Sequence, residues 1–353
     1  MKEKLKALGK RYFIDAMGAM AQGLFASLLI GTIFNAIGLI PGLGLFAEIG
    51  SAAAKVAGPA MAVAIAFSLK ASPLVMFTCA FVGYLANDYG GAGGPLAVLL
   101  ITIVAAEVGR LVSKKTKVDI LVTPFVTLLV GGALSVWCAP YIKVAAGWIS
   151  GLISVAMTAQ PLVMGLTVSV VMGIALTLPI SSAAICAALG LTGAVTGDAG
   201  LALAGGAAVA GCCAQMVGFA VMSFRENRWG GLISQGIGTS MLQMPNIIKN
   251  PRIWLPPIVA SAVTGPLATC VFEMRMYGNA INSGMGTCGL LGPIGMILGW
   301  LDPKNNYPGQ IGALDWVGLI LICFVLPAVI SVLLCFLLRR IGWIGEGDLT
   351  LPE

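Results

Sequence analysis

The chain has 353 residues, of which 58% are hydrophobic and 10% are charged, and its mean hydropathy is +0.98. A soluble globular protein carries about 25% charged residues, so this composition excludes that class and predicts a protein that spans a membrane several times. Histidine is absent, which excludes phosphohistidine chemistry, a Ser-His-Asp triad and histidine-ligated metals. The nine cysteines lie in apolar runs without a CxxC pair, so we expect buried thiols, no metal site and no cofactor.

Apolar stretches define the predicted spans, because a helix needs about 20 residues to cross the hydrocarbon core. In chain order, the predicted spans are 14–40, 47–69, 71–87, 96–112, 119–139, 144–159, 161–178, 200–223, 254–272 and 315–338. Tight external turns are predicted at Pro41-Gly42 and from Asn87 to Gly94. The sequence therefore predicts an all-α polytopic membrane protein with about ten transmembrane helices.

Basic clusters separate groups of these spans and predict their orientation, because short loops rich in Lys and Arg stay in the cytoplasm. The clusters are Lys2/Lys4/Lys6/Lys10/Arg11, Lys114/Lys115/Lys117, Arg225/Arg228, Lys249/Arg252 and Arg339/Arg340. We therefore expect a multi-pass protein of the plasma membrane with both termini in the cytoplasm.

Two apolar segments are interrupted by glycine or proline, and such segments are a good sequence pointer to a transport site. The first covers 180–197 and the second 279–300, and each contains a Gly-Leu-x-Gly tetrad. Irregular backbone is tolerated at membrane depth only where protein or a water-filled cavity satisfies its polar groups. We expect both segments to enter the membrane and return as re-entrant hairpins.

Neutral polar side chains in the two broken segments are candidate ligands for a polar solute, which they would bind by hydrogen bonding. These residues are Ser181, Ser182, Thr192, Asn279, Asn282, Ser283 and Thr287. The alternative is that Gly, Ser and Thr are the small residues that let membrane helices pack closely. The two asparagines favour binding, because helix packing does not require them.

Ionisable residues beside apolar segments are functional candidates in a membrane protein. Asp198 and Glu273 each adjoin a broken segment, but Arg275 follows Glu273, so an ion pair that holds the hairpin is as well supported as contact with solute. Asp88, beside Asn87, either caps an external turn or lines the solute entrance. No paired carboxylates or nucleophile–base pair stand out, so we predict no catalytic residue.

The stretch between Arg228 and Lys249 is charge-free for twenty residues yet contains four glycines and a proline. With its basic flanks it predicts a cytoplasmic loop, 225–252, with a short interfacial helix. Its sequence GTSMLQMPNIIKNPRIWLPP resembles the membrane subunit, enzyme IIC, of the sugar phosphotransferase system, in the branch that includes the PfoR-type proteins. The stretch NAINSGMGTCGLLGPIG, which begins at Asn279, resembles the same branch. The likeness extends over essentially the whole chain in length and span order.

This resemblance implies a ten-helix transporter fold, a homodimer, and a sugar-like solute carried by an elevator movement of the part that holds the hairpins. Residues 1–143 would form the dimer scaffold, and 144–353 would contain the transport machinery. Relatives use a membrane histidine and a glutamate in a Gly-Ile-Thr-Glu-Pro type motif, and neither has a counterpart here. The phospho-donor IIB domain also has no counterpart, so phosphorylation would need a separate cytoplasmic protein that docks on 225–252.

The expected function is a membrane carrier for a small polar solute, a sugar or sugar derivative. The alternative is a membrane sensor or regulator that signals to a cytoplasmic partner through 225–252. Expected partners are the solute, the lipid bilayer, a second copy of the chain and a separate phosphotransferase or regulatory protein. The net charge of +6 lies mainly in the cytoplasmic flanks, where it attracts anionic lipid headgroups, so no nucleic acid is expected.

Overall fold

The computed structural model of the chain describes residues 7–38, 40, 42–194, 197–305, 307 and 311–351. Outside these ranges lie Lys2, Lys4 and Lys6 of the first basic cluster, Pro41 of the first predicted turn, and residues 195 and 196 of the first broken segment. All regular secondary structure in the described residues is helical, as the sequence predicts. The chain divides into two compact units, Met1–Gly147 and Trp148–Glu353.

The described part of the first unit contains five helices and most of a sixth. They are α1 (Ala7–Gly38), α2 (Gly44–Lys55), α3 (Ala57–Ser68), α4 (Pro73–Gly90), α5 (Gly94–Val112) and α6 (Asp119–Met157). Helices α4 and α5 are antiparallel, because Ser72 before α4 and Ser113 after α5 are hydrogen-bonded with their Oγ atoms 2.8 Å apart. A tight turn at Gly91–Gly93 joins them, where the sequence predicts a turn. Gly91 has a φ of 50°, a conformation that favours glycine.

The prediction of separate spans at 119–139 and 144–159 is wrong, because α6 is one continuous helix of 39 residues. Pro140 inside it removes a backbone hydrogen bond without ending the helix. Lys143, where the prediction begins a new span, lies within the helix with its aliphatic chain against Gly91. A helix of this length extends about 58 Å, roughly twice the hydrocarbon thickness, and an unbroken helix crosses a bilayer once at most.

The second unit contains the end of α6 and the remaining α-helices of the described chain. These are α7 (Pro161–Thr177), α8 (Ser182–Leu189), α9 (Ala199–Met222), α10 (Phe224–Ile233), α11 (Met244–Lys249), α12 (Leu255–Cys270), α13 (Ala280–Ser283), α14 (Leu291–Leu301) and α15 (Ala313–Arg340). Helix α9 lies at the centre and packs against α7, α12 and α15. A Cβ at Gly211 of α9 would overlap the carbonyl oxygen of Ser169 in α7. Glycine at this position therefore permits the close approach of two helix backbones, as is common in membrane proteins.

Six helices of the described chain are long and apolar enough to cross a membrane, or seven if the pair α2 and α3, bent by 52°, counts as one span. The stretch Pro73–Val112 enters this count once, although its two helices are antiparallel. Helix α7, with 17 residues, is not included. The class of multi-span helical membrane protein is confirmed, and the number of ten spans is not, because α6 replaces two of the predicted spans with one helix.

Candidate functional site

The first broken segment forms a short helix with a defined start and end. Helix α8 has eight residues and begins where Ser181 Oγ accepts the backbone N–H of Ala184, 3.2 Å away. It ends at Gly190, whose φ of 62° is the left-handed conformation common after a helix. Eight residues extend about 12 Å, less than half the hydrocarbon thickness. This helix is therefore too short to cross a membrane.

The second broken segment contains two helical pieces separated by an irregular turn. Helix α13 is a single four-residue turn that begins where Asn279 Oδ1 accepts the backbone N–H of Ile281, 3.0 Å away. The chain then passes through Gly289 and Leu290, with φ of 53° and 58°, before α14 begins. The predicted interruptions are present in both segments, and their re-entry into a membrane stays a prediction.

The two broken segments, about one hundred residues apart in sequence, are in direct contact and brace each other reciprocally. Ser182 Oγ in the first segment donates to the carbonyl of Gly284 in the second, 2.6 Å away. In the opposite direction, Ser283 Oγ donates to the carbonyl of Leu191 across 2.8 Å. Both serine side chains are at most 3% exposed. The candidate residues of the two segments thus lie together.

A third hydroxyl strengthens the same contact. Thr192 Oγ1 donates to the carbonyl of Gly278 across 2.7 Å, and the backbone N–H of Gly193 donates to the carbonyl of Met276 across 2.9 Å. The hydroxyl protons of Thr192, Ser182 and Ser283 therefore already form hydrogen bonds with protein carbonyls. Direct binding of solute by these three residues stays a prediction, because only the lone pairs of their hydroxyl oxygens are left to accept hydrogen bonds from it.

Thr287 differs from the other hydroxyl residues of the site. Its side chain is 1% exposed, and its Oγ1 has no hydrogen-bond partner. It lies in the irregular turn next to Gly286, which packs against the α9 backbone at Cys212. Asn282 is half-buried, with its side chain against Gly295. A buried hydroxyl without a partner is unusual in a folded protein and calls for an explanation such as a bound ligand.

Exposed polar residues flank the braced contact. Asp198 accepts the backbone N–H groups of Gly200 and Leu201 with Oδ1, at 2.7 and 3.1 Å, and so caps the start of α9. Glu273 forms the predicted ion pair with Arg275, with Oε2 and Nη2 2.7 Å apart. Asp198 and Glu273 therefore have structural tasks, and solute contact by either stays a prediction.

Asn87 and Asp88 belong to the first unit. The Asn87 side chain packs against Gly58 and Gly94, which explains its half-buried position near the end of α4. Asp88 is exposed. Their membership in a solute entrance stays a prediction.

The middle of the stretch 225–252 folds into the second unit, since residues 238–247 are all buried. Its cytoplasmic location stays a prediction. Ser240, which is fully buried, has its Oγ 2.8 Å from Oγ1 of Thr177 in α7. The ends of the stretch 225–252 contain exposed residues, including Arg225, Arg228 and Lys249. The sequence did contain a sign of this burial, because the stretch is free of charges and broken by glycine and proline, like the other two segments. Its basic flanks favoured the loop interpretation.

The described C-terminal residues cover one side of this stretch, which sequence reasoning missed. Asn227 donates to the carbonyl of Leu349 at 2.8 Å and accepts the N–H of Leu351 at 2.9 Å. Gln243 donates to the same Leu349 carbonyl at 2.9 Å, and Asn246 donates to the carbonyl of residue 350 at 2.8 Å. These amides hold the turn-containing tail segment against the protein.

A buried polar network crosses the middle of the second unit and was also missed. Gln215 of α9 is fully buried, and its Oε1 accepts from Trp254 Nε1 at 2.9 Å. Its Nε2 donates to Ser261 Oγ at 3.4 Å. The only sequence signal was a single glutamine inside an apolar helix. The network satisfies its own polar groups, so it is a scaffold for the site.

The comparisons with known proteins support one family. A family model described as phosphotransferase system, EIIC, matches residues 14–351. No curated protein and no solved structure matches the chain. No group of three or more Cys, Asp or Glu side chains that could hold a metal ion occurs in the described ranges.

Proposed function

Because the chain belongs to the phosphotransferase system EIIC family, and is therefore a multi-pass membrane component of sugar transport, we propose that it carries a neutral sugar or sugar derivative. In this proposal the solute binds where the two broken segments meet. The PfoR-type branch within the family stays part of the proposal.

The observation that carries the proposal is the unpartnered hydroxyl of Thr287 beside the braced contact. An unpaired buried polar group costs about 1–3 kcal/mol, and a ligand hydroxyl that pairs with it would offset that cost. A sugar hydroxyl can both donate to and accept from a threonine hydroxyl. Asn282, half-buried on the same segment, adds an amide that can do the same.

The bracing hydrogen bonds give the site the rigidity that binding requires. Ser182 and Ser283 join the two segments in both directions, so the irregular backbone keeps its position without solute. Such pre-organisation lowers the entropic cost of binding. In the proposed elevator movement, the braced segments would move as one body with their solute.

Phosphorylation of the solute is a separate question from its binding. The chain contains no histidine, and the segment 279–300 contains no acidic residue. We propose that a phosphate donor docks from the cytoplasm and that solute binding does not depend on it. The regulator alternative has no observation in its favour.

The proposal includes a homodimer with 1–143 as scaffold and 144–353 as the transport part. Helix α6 leaves surface for such an interface, because only 22% of its most apolar part is buried, and the rest is available to lipid or to a second copy. The mass of the protein in lipid nanodiscs tests the dimer, and a monomer would remove this part of the proposal.

The substitution Thr287→Val tests the binding site, since valine has a similar shape and lacks the hydroxyl. No protein hydrogen bond is lost, so we expect the melting temperature to stay equal or rise. Loss of one solute hydrogen bond, about 0.5–1.5 kcal/mol, would raise the half-saturation concentration about 2- to 12-fold. The measurement is uptake of radiolabelled hexoses and hexitols into proteoliposomes.

The matched control is Thr158→Val. Its exposed hydroxyl donates to the carbonyl of Val155 at 2.7 Å within its own helix turn, so uptake should match that of the unmodified protein. Unchanged uptake by Thr287→Val, or no uptake of any solute by the unmodified protein, would refute the proposed function.

A further inference from the structure

A pocket of about 280 Å³ lies where α12 ends and α15 begins, outside the braced contact of the two segments. Its size is near the lower end of the range for small-molecule sites, about 300–1,000 Å³. The lining combines apolar and charged side chains: Val271, Phe272, Glu273, Arg275, Tyr307, Leu314 and Asp315.

The carboxylate of Asp315 is held in place by two donors. Tyr307 donates its hydroxyl to Oδ1 at 3.1 Å, and the backbone N–H of Gly312 donates to Oδ2 at 2.8 Å. Burial, together with the charge of Asp315, raises the pKa of Tyr307 to about 12. The phenol therefore stays protonated and keeps donating at physiological pH. Each carboxylate oxygen retains a lone pair for a further donor.

Arg275 supplies the donor side of the pocket. Its Nη2 is engaged with Glu273, but its Nε is buried without a hydrogen-bond partner. The backbone carbonyl of Arg275 accepts from Trp300 Nε1 at 2.9 Å, which fixes this part of the chain. Glu273, by contrast, is 64% exposed and has a free carboxylate oxygen.

Aromatic rings support the wall of the pocket. Tyr307 packs edge-to-face on Tyr277 with ring centroids 5.3 Å apart, and Trp300 lies 6.0 Å from Tyr307. The apolar part of the lining itself consists of Val271, Phe272 and Leu314, and the Tyr277 and Trp300 rings pack on Tyr307. A molecule with hydroxyls on its rim and C–H groups on its face fits such a lining.

Charge decides which hydroxylated molecules the pocket favours. Two carboxylates and one guanidinium give the lining a net charge of −1, which disfavours an anion. One unpartnered N–H beside carboxylate oxygens with spare lone pairs matches adjacent hydroxyls, of which one accepts from Arg275 and the other donates to Glu273 or Asp315. We propose that this pocket is a second binding site that takes one neutral polyhydroxylated molecule of sugar size. The ligand class rests on the proposed function, whereas the preference for a neutral molecule follows from the lining.

The first experiment measures binding to the full-length protein in detergent by tryptophan fluorescence. The probes are D-glucose, D-galactose, D-mannose, D-fructose and D-sorbitol, and D-gluconate serves as the anionic counterpart of sorbitol. We expect saturable binding of at least one neutral probe and no competition by gluconate at the same concentration. The absence of saturable binding for every neutral probe, or equal binding of sorbitol and gluconate, would overturn the proposal.

Two variants assign the binding to this pocket. Arg275→Lys keeps the charge but removes the Nε–H, so we expect affinity to fall about tenfold. The control Arg225→Lys changes an exposed arginine outside the pocket and should bind normally. Glu273→Gln removes one negative charge and should reduce the discrimination between sorbitol and gluconate. Unchanged affinity in Arg275→Lys together with unchanged discrimination in Glu273→Gln would refute the assignment.

Thr287→Val separates this proposal from the proposed function. Binding to the pocket should persist in this variant while uptake weakens. Binding without uptake in the unmodified protein would support the pocket and refute the carrier. Uptake with no fluorescence change in any variant would overturn the pocket and leave the carrier intact.

Discussion

The bracing between the two broken segments predicts a measurable loss of stability in Ser182→Ala. Removal of this hydroxyl leaves the buried carbonyl of Gly284 without its donor, 2.6 Å away in the native protein. An unsatisfied buried acceptor costs about 1–3 kcal/mol. For a folding unit of 150–250 residues, each kcal/mol lowers the melting temperature by about 2–4 °C, so we expect a decrease of about 2–12 °C.

Ser154→Ala is the matched control, because it also removes one serine hydroxyl bonded to a carbonyl. That hydroxyl donates to Ser150 at 3.0 Å, one turn earlier in the same helix. The Ser150 carbonyl keeps its backbone helix bond, so the expected change is within about 0.5 kcal/mol. Melting is measured with a thiol-reactive fluorogenic dye, which reports exposure of buried cysteines such as Cys186 and Cys288.

A double variant tests whether the two bracing bonds act on one contact. Ser182 and Ser283 hold the same two segments from opposite sides. Side chains that share one contact are coupled by about 0.5–3 kcal/mol, so Ser182→Ala combined with Ser283→Ala should destabilise by less than the sum. Equal melting of Ser182→Ala and the Ser154→Ala control, or strict additivity in the double variant, would refute reciprocal bracing.

Three further predictions follow from other contacts. Asn227→Ala removes two hydrogen bonds to the tail, which are worth about 1–3 kcal/mol together. Hydrogen exchange of residues 343–351 should therefore accelerate about 5- to 150-fold. Unchanged exchange would contradict this and show that Gln243 and Asn246 hold the tail without Asn227. A Cβ at Gly206 would overlap the carbonyl of residue 274, whereas one at Gly147 meets open space. Gly206→Ala should therefore lower the yield of monodisperse protein in size-exclusion chromatography, and Gly147→Ala should not. Because the folded-state pKa of Tyr307 is raised from 10 to about 12, its stabilising contribution is complete below about pH 10 and lost as pH rises toward 12. The melting temperature should thus fall more steeply from pH 9 to 12 in the unmodified protein than in Tyr307→Phe, and parallel curves would contradict this.

The membrane class and the family could be predicted from the sequence because they depend on local or cumulative properties. An average hydropathy of +0.98 excludes a soluble fold whatever the packing. The interruptions at 180–197 and 279–300 follow from glycine and proline, which act on the backbone where they stand. The motif beginning at Gly238 pointed to the enzyme IIC family, and the match to residues 14–351 confirms it.

Boundaries inferred from single charges were less secure, because the cost of a charge depends on its surroundings. Lys143 served as a boundary in the sequence, yet its aliphatic chain lies along Gly91 and α6 continues through it. The basic flanks of 225–252 likewise indicated a cytoplasmic loop with an interfacial helix, and they gave no sign that residues 238–247 between them are buried and contact α7 and α9.

The sequence by itself determined the solvent class, the helical content, the family and the two places where helices break, since each depends on composition or on neighbouring residues. Only the tertiary structure decided which hydroxyls of the two broken segments donate to protein carbonyls and which one has no hydrogen-bond partner. Ser182 and Thr287 look alike in sequence, but one donates to a carbonyl 102 residues away and the other has no partner. Hydrogen-bond partners at such separations are set by how helices pack, and the local pattern of residues carries no information about them.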